Sequence, residues 1–202
     1  MELIVISDPG SVVGEAVIIN RLFEAGMTRF HLRKPDWNGN QFIDLLKGID
    51  QAFHTNIALH QQHDLTTNFD TMRLHYTEMQ RLTTYQEKLN YQQKKGHVLS
   101  TSVHRVAEIP LLQCFEYTFF SPVFNSISKP GYQSQLDNGF RLEKVNALPK
   151  VIALGGIDKT NLDQVSEMNF DGCAVLGAIW NNPYEAVANF NRLKDLANKK
   201  HG

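Results

Sequence analysis

Residues 150–179 read KVIALGGIDKTNLDQVSEMNFDGCAVLGAI. Two short apolar runs, "KVIALGG" (150–156) and "GCAVLG" (172–177), flank a segment with helical spacing at 159–168. Continuous apolar runs of this length suit strands buried on both faces, which is the signature of a parallel sheet. Parallel neighbours need a crossover, and the helix between them supplies it. Both runs end in glycine. In α/β barrels the loops after the seventh and eighth strands commonly form a phosphate cup.

The same alternation runs through the rest of the chain. Candidate strands are "LIVIS" (3–7), "RFHLRK" (29–34), "NIALH" (56–60), "MRLHY" (72–76), "HVLSTSV" (97–103) and "YTFFSPVF" (117–124). Between them lie helical segments at 14–26, 40–53, 64–69, 78–93 and 106–113, the last despite Pro110, and a final helix at 184–197. Eight strand–helix units in 202 residues predict a single-domain closed (β/α)₈ barrel over 1–202. A doubly wound open sheet is the alternative.

Composition narrows the class. Hydrophobic residues make up 42%, charged residues 20%, and the net charge is −1, so no basic footprint for nucleic acid is present. No apolar run is long enough for a membrane span, and "MELIVISDPG" lacks the basic start of a signal peptide. The expected compartment is the cytoplasm. Cys114 and Cys173 sit in apolar company without a C-x-x-C spacing, so buried thiols are expected rather than a disulfide or zinc site. The Phe-rich "FEYTFF" (115–120) reads equally as core or as a homo-oligomer interface.

Barrel function gathers at the strand C-termini. Gly155 and Gly156 after strand seven, with Leu176 and Gly177 after strand eight, predict a phosphate site built from backbone amides and aided by a helix end. His31 and Arg33 share one strand face, and the arginine fork suits phosphate or carboxylate. Ser126, Ser128 and Lys129 lie on the polar loop 125–139 and offer a second anion contact. His60, His63 and His75 end strands three and four; their spacing does not ensure convergence on a metal, and none is expected. His104 ends strand five, with a side chain suited to proton transfer near neutral pH.

"MTRFHLRK", "STSVHRVAE", "FFSPVFNSISK", "VIALGGI" and "DGCAVLGAIW", in this order, resemble the thiamine phosphate synthase/TenI superfamily almost end to end. The resemblance implies two activities. Synthases join a pyrimidine pyrophosphate to a thiazole phosphate, with magnesium held by acidic residues after the third and fourth strands. TenI-like tautomerases aromatise a thiazole carboxylate phosphate without metal, using a histidine just after strand five.

The synthase pattern sets an Asn-Asp pair where this chain has His60 and Gln61, and a Gln and a Lys where it has His31 and Pro35. Its Thr-x-Thr-Lys segment becomes Ser126, Ser128 and Lys129. The Ser-Val-His of the tautomerases is present as Ser102, Val103 and His104. The resemblance therefore implies a metal-independent thiazole tautomerase acting at His104 on a small thiazole phosphate. Here His31, Arg33, His60, Ser126, Ser128 and Lys129 would line the substrate. A magnesium-dependent synthase and a non-catalytic binder of thiamine-related phosphates are the alternatives.

Overall fold

A computed structural model describes residues 1–125, 136, 139–143 and 149–198. Eight parallel strands close in sequence order into a barrel. They are β1 (Glu2–Ile6), β2 (Phe30–Leu32), β3 (Ile57–Leu59), β4 (Arg73–Tyr76), β5 (Val98–Val103), β6 (Tyr117–Phe120), β7 (Lys150–Leu154) and β8 (Gly172–Val175). The outer helices are α1 (Glu15–Glu24), α2 (Gly39–Gly48), α3 (Glu78–Thr83), α4 (Gln86–Lys94), α5 (Leu162–Glu167), α6 (Gly177–Trp180) and α7 (Ala186–Asn198). Single-turn 3₁₀ segments replace a full helix after β3 and β5.

Local chemistry sets the helix bounds. Asn38 and Gln41 form a reciprocal capping box that starts α2, and Phe42, Leu45 and Leu46 turn its inner face to the sheet. The expected helix over 78–93 breaks in two. The Thr83 and Thr84 hydroxyls donate to the carbonyls of Met79 and Gln80, and Thr84 is extended. Such back-bonding competes with the helical ladder. Likewise 40–53 ends at Gly48, because Asp50 caps a separate 3₁₀ turn.

The main core lies between barrel and helices, with Val5, Leu32, Phe42, Leu59, Phe120 and Phe190 among its buried members. A smaller cluster fills one side of the barrel interior: Ile4, Ile6, Tyr117, Phe119, Ile152 and Ala174. Both faces of "FEYTFF" are thus consumed inside the protomer, with Tyr117 and Phe119 pointing inward and Phe120 outward. Cys173 is buried, and its thiol is pushed up to about 12 by that burial.

An ion-pair layer seals the lower end. Arg29 pairs with Glu2 at 3.2 Å and Glu116 at 3.1 Å, and Arg73 reaches Glu116 at 3.2 Å. The Arg29 guanidinium also lies 4.6 Å from the centre of the Tyr117 ring. At the upper end Lys34 is wholly buried and pairs with Glu15 of α1 at 2.6 Å, under Trp37. Burial pushes the Glu15 carboxyl up, and Lys34 opposes that shift.

Closure runs through β1 and β8, with Glu2 opposite Gly172 and Val5 opposite Val175. A Cβ on Gly172 would lie 2.6 Å from the Glu2 carbonyl oxygen and 2.9 Å from Ile152 Cδ1. Gly172→Ala is therefore expected to destabilise the fold by about 1–3 kcal/mol. The measurement is the urea midpoint at unchanged slope, and an unmoved midpoint would contradict this account of closure.

Candidate active site

His104 follows β5 at the upper rim, with its side chain 41% exposed. Its Nδ1 lies 2.6 Å from the Ser121 carbonyl oxygen. A carbonyl only accepts, so Nδ1 carries the proton and Nε2 presents a lone pair. That free nitrogen stands 3.7 Å from Glu78 Oε2, on the first residue of α3. Glu78 is also 3.7 Å from Arg81, which pairs with Glu108 at 2.9 Å. The arrangement fixes the imidazole by one nitrogen and sets the other beside a carboxylate. Glu78 becomes a member of the site only through the turn after β4, which brings it across to β5.

Gly155 and Gly156 both have positive φ, 102° and 65°. A Cβ on Gly156 would meet the Asn125 carbonyl oxygen at 2.6 Å, and one on Gly155 would meet Pro122 Cα at 3.1 Å. These glycines let the loops after β6 and β7 touch, and Phe124 N–H donates to the Gly155 carbonyl. The amides of Gly155, Gly156 and Gly177 have no acceptor among the described residues. Unpaired backbone donors of this kind can bind an anion. Helix α6 is a single turn, so the amides rather than a helix dipole carry this potential. Leu176 caps that turn, and Trp180 Nε1 donates to the Ile6 carbonyl at 2.7 Å, pinning it over β1.

Arg33 is half-buried at the rim. The Ser7 hydroxyl donates to its carbonyl and accepts from its N–H, at 2.9 and 2.8 Å. Its guanidinium makes no ion pair with a described residue. Ser126, Ser128 and Lys129 lie outside the described residues.

The interior departs from the sequence reading. His31 is wholly buried and has both nitrogens engaged: Nδ1 lies 2.9 Å from His60 Nε2, and Nε2 lies 2.6 Å from the Tyr117 oxygen. It supports the floor of the mouth instead of lining it. His75 also lies inside, with its nitrogens 2.9 Å from Ser100 Oγ and 3.0 Å from Ser102 Oγ. Its ring stacks on His60 with centroids 4.0 Å apart. His63 turns away and holds the carbonyls of Leu59 and His75. The trio that converges is His31, His60 and His75, while His63 stands apart from it. The inward alternation of β2 signals His31, but the join to Tyr117 and Ser100 is a tertiary contact with no sequence mark.

One ligand atom from each of the three imidazoles lies within 4.8 Å of the others. Stacked rings do not aim their lone pairs at one point, and the ionic charges pressing on the trio are Arg29, Arg33 and Arg73. A divalent cation would enter positive surroundings there with no carboxylate to offset it among the described residues of the cluster. Burial foremost holds His31 and His60 well below 6.5, and it lowers His75 to about 3. All three are neutral at pH 7.

Comparison with known proteins places this geometry. The thiamine monophosphate synthase family model matches residues 3–179. The chain belongs to that family. A thiamine-phosphate synthase of Lysinibacillus sphaericus is 24% identical over 175 residues, spanning 81% of this chain and 79% of the relative. The thiamine phosphate pyrophosphorylase structure from Bacteroides thetaiotaomicron is 27% identical, with each chain covered completely and a TM-score of 0.75. The Pyrococcus furiosus structure of the same description covers all of this chain and 97% of its own, with a TM-score of 0.79; at 18% identity it bears on the fold alone.

The family's magnesium can be tested against the residues present. At the synthase's acidic pair stand His60, which is buried in the imidazole cluster, and Gln61, whose Oε1 accepts from Lys34 N–H. Glu78 is shared between Arg81 and His104. A hard cation wants several unshared carboxylates, and this donor set does not fit it.

The neutral interior also sets an acid limit. Unfolding releases His31, His60 and His75 to their ordinary value near 6.5, so below that pH the unfolded chain binds protons the folded chain refuses. Stability should be full above about pH 7 and fall as the pH drops through about 6.5 towards 5. Each histidine adds a slope approaching about 1.4 kcal/mol per pH unit. Urea unfolding across that range checks it, and a flat profile would count against the buried neutral trio.

Proposed function

We propose that this protein is a proton-transfer enzyme of thiamine biosynthesis, a tautomerase acting on a thiazole carboxylate phosphate. The observation that carries the reading is His104, whose Nδ1 is tied to the Ser121 carbonyl, which leaves Nε2, beside Glu78, as the nitrogen with a lone pair to take a proton. In this reading the amides of Gly155, Gly156 and Gly177, with Leu176 at the turn, hold the phosphate. Arg33 supplies a positive charge for the substrate carboxylate, and His60 lines the floor. Ser126, Ser128 and Lys129, by their chemistry, would offer the substrate a second set of anion contacts. The poor fit of the residues to magnesium supports chemistry that runs on protons alone.

A second reading is favoured by the relatives' names, both of which describe the synthase reaction. It requires magnesium-dependent joining of a pyrimidine pyrophosphate to a thiazole phosphate, with release of pyrophosphate. One assay separates the two: the purified protein is given the thiazole carboxylate phosphate tautomer, then both synthase substrates with and without magnesium.

Turnover of the tautomer alone, unaffected by chelator, is the expected result. His104→Gln should then lower kcat by roughly 10²–10⁴-fold, the usual contribution of a positioned acid–base group. Phosphate-ester binding should be retained. An unchanged kcat would remove His104 from the mechanism, and magnesium-dependent thiamine phosphate formation would replace this reading with the second.

A further inference from the structure

The outer ring of helices has a gap. After β3 the chain makes only the single 3₁₀ turn His63–Thr67 before β4, where the barrel pattern calls for a full helix. Helix α4 faces that gap and buries only Leu89. Between the turn and α4 lies a cleft of about 690 Å³ on the outside of the barrel. It extends from Gln61 and Gln80, near the ends of β3 and β4, down to His97, just before β5. His104, Arg33 and the glycines after β7 and β8 do not line it.

One wall is a row of donors. Lys88, Gln92 and Lys95 are spaced i, i+4 and i+7, so they share one face of α4 and its C-terminal cap. All three side chains end in N–H groups. Neither ammonium pairs with a carboxylate among the described residues. Seven residues of helix span about 10 Å, so the two charges stand roughly that far apart along the cleft. Burial lowers both His63 and His97, and the charge of Lys88 adds to the first shift and that of Lys95 to the second. One ammonium is thus felt at each end.

The facing wall has already spent its donors. His63 Nε2 donates to the carbonyls of Leu59 and His75. The Thr66 and Thr67 hydroxyls donate to the carbonyls of His63 and Asp64. Asp64 is the one carboxylate among the described residues that line the cleft.

Pockets for small molecules usually set a few polar groups in apolar walls. Here the proportion is reversed, and Met72 is the one apolar side chain among the described lining residues. An apolar ligand would gain little from such walls, and a cation would meet two like charges. The chemistry left is that of an anion, and the separation of the lysines sets its length.

We propose that this cleft is a second binding site, taking an extended anion such as a short oligophosphate. Lys88 and Lys95 hold its two ends, and the Gln92 amide donates between them. The site is independent of the tautomerase reading, because none of its lining residues serves the mouth in that reading.

Inorganic triphosphate is the probe, and orthophosphate is the control for length. Imidazole resonances of the full chain, followed by NMR during titration, report position: His63 and His97 stand for the cleft and His104 for the mouth. Triphosphate should shift His63 and His97 with saturation. The dissociation constant read from those two rings should be at least about tenfold smaller than for orthophosphate, since one phosphate cannot meet both lysines. It should rise with added salt, because both lysines are exposed.

Lys88→Gln with Lys95→Gln should weaken triphosphate at the cleft by about tenfold or more. Both side chains are exposed, so the urea midpoint should not move. Any shift of His104 should be the same in wild type and variant. Saturable shifts at His63 and His97 that the double substitution removes would establish the site. Shifts at His104 alone, shifts at His63 and His97 that survive the double substitution, or equal affinity for orthophosphate would overturn it. Each of these results leaves the tautomerase reading where it stood.

Discussion

The mouth of this barrel depends on the pairing of β1 with β8. Once Glu2 to Val5 is in register with Gly172 to Val175, the ring is closed and strict alternation decides which residues face inward. Ile4, His31, Ala58, His75, Ser100, Tyr117, Ile152 and Ala174 then share the interior. A one-residue slip anywhere would exchange the histidines for the aliphatic residues now facing the helices. Gly172, which no larger residue could replace without moving β1 or Ile152, is the local guarantee of that register.

The interior is divided. Isoleucines and alanine from β1, β7 and β8 make one apolar side, whereas histidines and serines from β2 to β5 make the other. A buried polar group needs a partner, because leaving it unmade costs on the order of 1–3 kcal/mol. All but one of the nitrogens of the three imidazoles meet that requirement, and the exception, His60 Nδ1, is a buried atom with no partner among the described residues. An unmet donor or acceptor in a network otherwise satisfied is a natural place for a ligand atom to complete it.

Much of this was legible before any coordinates. Apolar runs with glycine ends marked the eight strands in the order in which they close. What stayed hidden had tertiary causes. The split of the helix after Thr83 comes from hydroxyls returning to their own carbonyls, a choice that residue type permits but does not compel. His31 lies deeper than its strand position tells, because a strand face separates inward from outward but does not give depth. Glu78 reads as an ordinary first-turn acid until α3 is set beside β5. The one-turn α6 is too short to leave a period, and only Trp180 bonding Ile6 marks it.

The ion pairs of Glu2, Arg29, Arg73 and Glu116 tie the starts of β1, β2, β4 and β6 together at the end of the barrel opposite His104. Arg29 serves two acids and Glu116 serves two arginines, so the loss of either residue would leave two charges without a partner at once. Four residues far apart in the chain are thereby bound to change together or not at all.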